Sequence, residues 1–117
     1  MKKKLAVVGS RSITDYSFIK RLLDRKLDSI ECIISGGARG VDTLAERWAN
    51  ENRIPIKVFP ADWDRWGKRA GYIRNETIIK ECDICLAVWD GQSKGTLHSV
   101  TLCKKYNKPH LLLDFNP

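Results

Sequence analysis

Three glycine-bearing turns carry the residues of this sequence that are best suited to chemistry. Each follows a short apolar run and precedes a helical pattern; they are Gly9-Ser10-Arg11-Ser12, Gly36-Gly37-Ala38-Arg39-Gly40 and Asp90-Gly91-Gln92-Ser93-Lys94-Gly95-Thr96. Glycine lets backbone N–H groups approach an oxyanion closely, and the following helix adds free N–H groups and a favourable dipole. Three such turns at neighbouring strand ends favour an anion-binding site over three turns that are merely tight.

Polar side chains in these turns can supply the charge and the hydroxyl groups that a phosphate needs. Ser10, Ser93 and Thr96 can each donate a hydroxyl hydrogen to a phosphate oxygen. Arg11 and Arg39 can form paired, charge-assisted hydrogen bonds to phosphate or carboxylate. Each arginine can equally be a surface residue or a brace within its loop, and the sequence leaves that choice open.

Residues beside the turns extend the predicted site. Asp42 can accept a hydrogen bond from a ribose hydroxyl, or it can simply favour the positive end of a helix dipole. Arg74 can close over the ligand from the end of the third strand, and Trp63 and Trp66 can stack on a base or anchor their loop by packing. The predicted ligand-binding residues are therefore Gly9, Ser10, Arg11, Gly36, Gly37, Arg39, Gly40, Asp42, Arg74, Ser93, Gly95 and Thr96.

Length and charge narrow the class of protein. The 117 residues suffice for one domain with a buried core, and we predict a single domain over residues 1–117. The net charge of +7 favours phosphate-bearing partners, although a solvated basic surface produces the same excess. The apolar run at residues 5–8 is shorter than the core of a signal peptide, so we expect a cytoplasmic protein without a membrane partner.

Cysteine and histidine give no sign of a metal or a disulfide framework. The four cysteines, at positions 32, 82, 85 and 103, lie in apolar contexts. Cys82 and Cys85 have CxxC spacing, but residues three apart in a strand face opposite sides, so we expect reduced thiols in the core. His98 and His110 fit no ligand spacing, and neither a metal nor a cofactor is predicted.

Five apolar runs alternate with helical patterns along the chain. The runs span residues 5–8, 32–34, 56–59, 84–88 and 110–113, and most are continuously apolar, as is typical of strands covered on both faces. Apolar residues at helical spacing follow within residues 19–27, 41–49, 70–81 and 97–104, most weakly in 70–81. The longest irregular stretch, residues 60–69, exceeds most strand-to-helix connections and is therefore suspected of a function.

This alternation predicts the fold that positions the turns. Strand-helix repetition with right-handed crossovers implies a parallel sheet. We predict an α/β, Rossmann-like, doubly wound domain with five parallel strands in the order 3-2-1-4-5. The first and third turns then face each other across the point where the strand order reverses, which is where such sheets bind ligands.

Four motifs in order resemble the SLOG superfamily, and most closely its YspA-type, YpsA-related branch. They are "VVGSRSITD", "ISGGARGVDTLAERWA", "FPADWDRWGKRAGYIRN" and "DGQSKGTLHSV", and together they cover nearly the whole chain. The resemblance implies a Rossmann-like domain that binds nucleotides or nucleotide-derived ligands at the turns described above. It implies no particular reaction, so we expect either a sensor or a weak nucleotide-processing enzyme, and we predict no catalytic residue.

Two related families imply alternative functions. In the Lonely Guy phosphoribohydrolases, the signature PGGxGTxxE supplies a catalytic glutamate; Gly95-Thr96 matches its GT pair, but Ser99 stands in place of the glutamate. A hydrolase acting on the N-glycosidic bond of a nucleoside monophosphate would need another carboxylate here, Glu76 or Asp42, since the transition state is positively charged.

The second alternative is single-stranded nucleic-acid binding. The motif "SGGARGVD" is similar to the SGxARGID turn of the DNA-processing protein A family, in which this region contributes to single-stranded DNA binding. The net charge is compatible with that role, whereas a small domain with few exposed stacking aromatics offers a strand little to follow. A homo-oligomer is also left open, because Trp48 on its helix face leaves room for a dimer contact.

Overall fold

Strands and helices alternate along residues 2–115, the part of the chain that the computed structural model describes. The strands are β1 (Lys3–Gly9), β2 (Ile30–Ser35), β3 (Ile56–Val58), β4 (Ile84–Trp89) and β5 (His110–Asp114). The helices are α1 (Tyr16–Asp24), α2 (Val41–Glu51), α3 (Trp63–Trp66), α4 (Ala70–Glu81) and α5 (Lys94–Lys105). The domain predicted over residues 1–117 also includes Met1, Asn116 and Pro117, which lie outside the described residues.

The five strands form one parallel sheet in the order β3-β2-β1-β4-β5, which confirms the predicted Rossmann-like topology. In this sheet Leu5 of β1 lies between Ile33 of β2 and Ile84 of β4. The chain moves outward from β1 through β2 to β3 and then crosses back to β4. The strand order therefore reverses between β1 and β4, and the connections after these two strands diverge there.

The two faces of the sheet are covered by different helices, because alternate strand residues point to opposite sides. Leu5 and Val7 of β1 pack with α1 and α2, whereas Ala6 and Val8 pack with α4 and α5. Both layers are apolar, which explains why the strands read as continuous apolar runs. The four cysteines are buried and unpaired within the described residues.

Trp48 belongs to the interior and not to a dimer surface. Its side chain is 0% exposed, and its indole N–H donates to the Asp24 carboxylate at 2.8 Å. The apolar face of α2 is wholly used in covering the sheet, so the predicted opportunity for a dimer contact at Trp48 is wrong.

The stretch at residues 60–69 is more ordered than expected. It contains the short helix α3 and a 3₁₀ turn at Gly67–Arg69 that leads directly into α4. Asp62 caps α3 by accepting from the N–H of Arg65 at 3.1 Å. Because α3 buries none of its side chains, its sequence has no apolar periodicity from which the helix could be predicted. Among the helices of residues 2–115, none is long and apolar enough to cross a membrane.

Candidate functional site

A cleft of about 400 Å³ opens at the carboxyl ends of β1 and β4, where the strand order reverses. Its walls come from the turns after β1, β2 and β4, from the start of α2, from the middle of α4 and from the first two turns of α5. The predicted residues that line it are Gly9, Arg11, Asp42, Arg74, Ser93, Gly95 and Thr96. The structure thus brings the first and third turns together, as expected.

Two arginines give the cleft its positive charge. Arg11 is exposed on the turn after β1, and Arg74 reaches in from α4. Burial lowers the pKa of Arg74; the charge of Asp42 opposes that shift and the charge of Arg11 adds to it. Within residues 2–115 neither guanidinium forms an ion pair with a carboxylate. Two cations face one cleft, and in this part of the chain only Arg74 feels the charge of a nearby carboxylate, that of Asp42. This excess of positive charge favours an anionic ligand.

Arg74 is held in place by neutral acceptors. Its Nη1 donates to the carbonyl oxygen of Gly36 at 2.7 Å, and its Nε donates to the amide oxygen of Asn75 at 3.0 Å. These contacts orient the guanidinium without neutralising it. The arginine is therefore fixed before any ligand arrives, which reduces the entropy lost on binding.

The N-terminus of α5 forms the opposite wall. Ser93 caps the helix, accepting from the N–H of Thr96 at 3.3 Å and from the Thr96 hydroxyl at 3.0 Å. The N–H groups of Arg11 and Gly95 have no acceptor among the described residues. The N–H of Gly95 lies at the start of α5, where the positive end of the helix dipole favours an anion, and the N–H of Arg11 belongs to the turn after β1.

Asp90 braces the first turn against the third. The Ser12 hydroxyl donates to its carboxylate at 2.7 Å, and the N–H groups of Gln92 and Ser93 donate to its other oxygen at 2.8 and 2.9 Å. These bonds, led by that of Ser12, lower the pKa of Asp90 to about 2. The carboxylate is therefore ionised at neutral pH and already fully engaged by the protein.

Asp42 is the second carboxylate of the cleft and has the opposite character. It is 6% exposed, and this burial raises its pKa to about 6. The N–H of Ala38, which donates to it at 3.2 Å, and the charge of Arg74 offset part of the rise, whereas Glu46 adds to it. Asp42 therefore changes charge near neutral pH, beside the cations of the cleft.

Two amides of the second turn are taken up by acceptors of the protein itself. The N–H of Gly37 donates to the hydroxyl of Ser35 at 3.2 Å, and the N–H of Ala38 is taken by Asp42. Gly37 is therefore absent from the lining of the cleft among residues 2–115. These donors satisfy the protein's own acceptors, so the predicted contribution of Gly37 to a phosphate cradle has no support in the geometry.

The other glycines of the second turn allow close packing. A Cβ on Gly36 would lie 2.6 Å from Nη1 of Arg74, and a Cβ on Gly40 would lie 2.6 Å from Cα of Arg11 and overlap the Ser10 carbonyl. That carbonyl accepts from the N–H of Val41, the first residue of α2. Gly36 therefore allows the close approach of Arg74 of α4, Gly40 allows that of the first turn, and neither lines the cleft.

Two further predicted residues also lie off the cleft. Arg39 is exposed, but it is not part of the lining. Ser10 is 1% exposed, and its hydroxyl oxygen accepts from the N–H of Asp90 at 3.0 Å. Ser10 thus connects the first turn to the third by a buried hydrogen bond, and its side chain does not line the cleft.

Sequence reasoning missed several polar residues that line the cleft, among them Ser12, Asn75, Asp90 and Ser99. Asn75 is 9% exposed, and its side-chain amide nitrogen lies 3.3 Å from Nδ1 of His98. Ser99 is buried one turn after Thr96 on α5. For Ser99, a usable signal was present in the sequence. Ser93, Thr96 and Ser99 are polar and spaced three apart, so they lie on one side of α5, a helix that otherwise packs on the sheet.

The carboxylates that could replace the missing glutamate of a phosphoribohydrolase lie in different places. Glu76 accepts from the Tyr106 hydroxyl at 2.8 Å, pairs with Lys80 at 3.0 Å, and is not part of the cleft lining. Asp42 does line the cleft, as does Ser99. Of the two carboxylates considered, only Asp42 is placed to act on a ligand there.

Comparison with known proteins identifies relatives along the whole chain. Residues 3–66, more than half of the chain, match the family described as YAcAr: YspA, cpYpsA-related SLOG family. The Gene 61 protein of Mycobacterium phage D29 is 32% identical over 116 residues, covering 92% of this chain and 93% of that protein.

Two solved structures share the fold. DNA processing protein A from Streptococcus pneumoniae superposes with a TM-score of 0.81 at 18% identity, over 95% of this chain and 50% of that one. DNA processing protein A from Helicobacter pylori, described for its single-stranded DNA binding mode, gives 0.66 at 26% identity, over 93% of this chain and 64% of that one. This chain spans less than two thirds of either structure. The chain belongs to the YspA, cpYpsA-related SLOG family.

Proposed function

We propose that this protein binds a nucleotide or nucleotide-derived ligand, with the phosphate in the cleft between the turns after β1 and β4. The family resemblance supports a nucleotide ligand, and the volume of about 400 Å³ lies within the usual range for small-molecule clefts. A cytoplasmic setting is part of the same proposal and agrees with four unpaired thiols.

The observation that carries this proposal is that two arginines without an ion pair to a carboxylate lie beside a helix N-terminus. Among residues 2–115, Arg11 and Arg74 form no ion pair with a carboxylate, although the charge of Asp42 acts on Arg74. Gly95, whose N–H has no acceptor there, lines the same cleft. Arginine side chains suit phosphate because their forked donors match two phosphate oxygens at once. Helix N–H groups add neutral donors, so the phosphate charge is met from two sides.

Isothermal titration calorimetry with a panel of nucleoside 5′-mono-, di- and triphosphates tests the proposal. Arg11→Gln removes one exposed cation of the cleft, and we expect affinity to fall by about tenfold or more, as for a lost charge-assisted hydrogen bond. Arg39→Gln is the matched control, because Arg39 is an exposed arginine of the adjacent turn outside the cleft lining. Equal losses in both variants, or no binding of any nucleotide by the wild type, would overturn the proposal.

Single-stranded nucleic-acid binding is a second candidate, favoured by exposed aromatic and basic residues on α3. Trp66 is 36% exposed, with the guanidinium carbons of Arg65 and Arg69 at 4.7 and 5.8 Å from its ring centroid. Aromatic rings with neighbouring arginines form the usual platform for single-stranded nucleic acid. The likeness to the Helicobacter pylori DNA processing protein A adds support.

Fluorescence anisotropy with a labelled single-stranded oligonucleotide distinguishes this candidate. If a strand binds across α3, affinity should fall steeply with salt, and Trp66→Ala should weaken it by about fivefold or more. A flat salt response, or binding unchanged in Trp66→Ala, would remove the candidate.

A further inference from the structure

We infer that a second hollow beside the cleft receives the base of a mononucleotide whose phosphate lies in the cleft. This inference rests on the proposed function and names the part of the site that would select a nucleotide over a simple sugar phosphate. Its chief residues are Trp63 and Tyr72, which no step of the phosphate-binding account uses.

The hollow has about 230 Å³ and shares a wall with the cleft. The shared residues are Arg11, Arg74, Asn75 and Gly95, which line both spaces. A ligand held at the arginines can therefore extend directly into the hollow. The remaining walls come from α3 and the start of α4, namely Trp63, Lys68, Gly71 and Tyr72.

Two large aromatic side chains border the hollow and are left uncovered by the protein. Trp63 is 53% exposed and Tyr72 is 51% exposed. Exposed rings of this size next to a polar cleft offer a π-face that matches that of a planar base. The two rings are therefore suited to stacking on a base.

Tyr72 is oriented by contacts that lead back to the phosphate cleft. Its ring packs against that of His98 at 79°, with the centroids 4.6 Å apart. His98 in turn lies 3.3 Å from the side-chain nitrogen of Asn75, one of the shared residues. The ring of Tyr72 is thus already positioned, which lowers the entropic cost of stacking.

Gly71 keeps the hollow open between the two aromatic residues. It lies in α4, and a Cβ there would come 3.5 Å from Cη2 of Trp63, an ordinary contact distance. A methyl group would therefore be tolerated, whereas a larger side chain would occupy the space beside the ring. This makes position 71 a place where the hollow can be filled without removing either aromatic ring.

Trp66 differs from Trp63 although both belong to α3. Arg65 and Arg69 lie against its ring, and it borders a different hollow, with Phe59 and Pro60. That hollow shares only Arg74 with the phosphate cleft. Trp66 is therefore the matched control for Trp63: the same residue type on the same helix, outside the base-binding hollow.

The test compares adenosine 5′-monophosphate, uridine 5′-monophosphate and ribose 5-phosphate by calorimetry. We expect the wild type to bind both nucleotides roughly 5- to 100-fold more tightly than ribose 5-phosphate, because stacking on aromatic rings tolerates any base. Trp63→Ala, Tyr72→Ala and Gly71→Leu should each reduce this preference, while affinity for ribose 5-phosphate stays unchanged. Trp66→Ala should retain the full preference.

Each contrary result has a distinct meaning. If ribose 5-phosphate binds as tightly as the nucleotides, or if Gly71→Leu leaves the preference intact in a folded protein, the base-binding hollow is refuted while phosphate binding stands. If none of the three compounds binds the wild type, the proposed function itself is refuted. If only a short single-stranded oligonucleotide shows dependence on Trp63, the mononucleotide assignment is overturned.

Discussion

The second and third turns contain similar glycine-rich sequences, yet they use their backbone groups in opposite ways. In the second turn, the N–H of Gly37 is taken by a protein acceptor and Gly40 lies against the backbone of the first turn. In the third turn, the N–H of Gly95 is free, and a Cβ on this residue would meet nothing closer than the Ser93 hydroxyl at 4.0 Å. One turn is closed by its neighbours, and the other opens to the cleft.

This difference teaches that a glycine-rich turn at a strand end has two distinct uses. Glycine can bring the backbone close to a ligand, or it can bring it close to another part of the chain. The two uses give the same sequence pattern but opposite responses to substitution. A change in the second turn should affect stability first, and a change in the third should affect binding first.

The largest effect is expected for Gly40→Ala. Gly40 has φ 77 and ψ −130, a conformation open essentially to glycine alone, and its Cβ would overlap the Ser10 carbonyl. Backbone strain together with overpacking should lower the free energy of unfolding by at least about 3 kcal/mol, measured by urea denaturation.

Gly67→Ala is the control for that substitution. Gly67 has a similar backbone conformation, φ 58 and ψ −135, but nothing lies within 4 Å of its Cβ position. The Gly67→Ala variant should therefore suffer the backbone strain but no steric overlap. Its loss in the free energy of unfolding should be smaller than that of Gly40→Ala by about 1–3 kcal/mol. Equal losses of stability in the two variants would mean that the close approach of the first and second turns adds nothing to the cost of Gly40→Ala.

The next effect concerns Asp42, whose carboxylate the second turn encloses. Its pKa of about 6 in the folded protein exceeds the ordinary value of 3.8, so the folded state holds this proton more tightly than the unfolded chain does. Its contribution to the free energy of unfolding therefore declines as pH rises from about 4 to about 6, by up to about 3 kcal/mol. Asp42→Asn, which cannot ionise, should gain that much relative to wild type across this window in pH-dependent denaturation.

Asp90→Asn serves as the contrasting variant. The pKa of Asp90 is lowered to about 2, so its contribution is present above pH 4 and is lost as pH falls toward 2. In this variant, the free energy of unfolding should change between pH 4 and pH 6 by the same amount as in the wild type. An Asp42→Asn curve parallel to that of the wild type would show that burial does not raise the pKa of Asp42.

The smallest effect on stability is expected for Gly95→Ala in the third turn. Gly95 lies inside α5 with open space at its Cβ position, so alanine should raise the free energy of unfolding by at most about 1 kcal/mol. Because the new methyl group enters the cleft, nucleotide affinity in calorimetry should fall. A loss of stability similar to that of Gly40→Ala would erase the distinction between the two turns.

The strands of the sheet could be predicted because each one is recognisable from a short, continuous apolar run in the sequence. The central strands β1, β2 and β4 are covered on both faces and are therefore apolar at nearly every position. The edge strands β3 and β5 are partly exposed, and all five apolar runs are strands in the expected order. Helix bounds were harder to predict: α5 begins at Lys94, three residues before the apolar pattern at Leu97, because Ser93 caps it. The short helix α3 has no buried face and was therefore missed.

The site was predictable only where a single turn determines the outcome. Arg11 and Gly95 line the cleft as expected because they follow strands that flank the point of reversal. The roles of Gly36 and Gly40 depend on Arg74 and Ser10, which are distant in sequence and come near only in the fold. No local pattern could tell a glycine that faces a ligand from one that faces another turn.

The central claim is that a phosphate ligand contacts the backbone amides of the turns after β1 and β4 and not the amides of Gly37 and Ala38 in the turn after β2. Titrating ¹⁵N-labelled protein with adenosine 5′-monophosphate and following the backbone amide signals by NMR tests this directly. The account predicts saturable shifts for the amides of Arg11 and Gly95, with the amide of Gly37 unchanged. Saturable shifts at Gly37 while Gly95 stays still would contradict it.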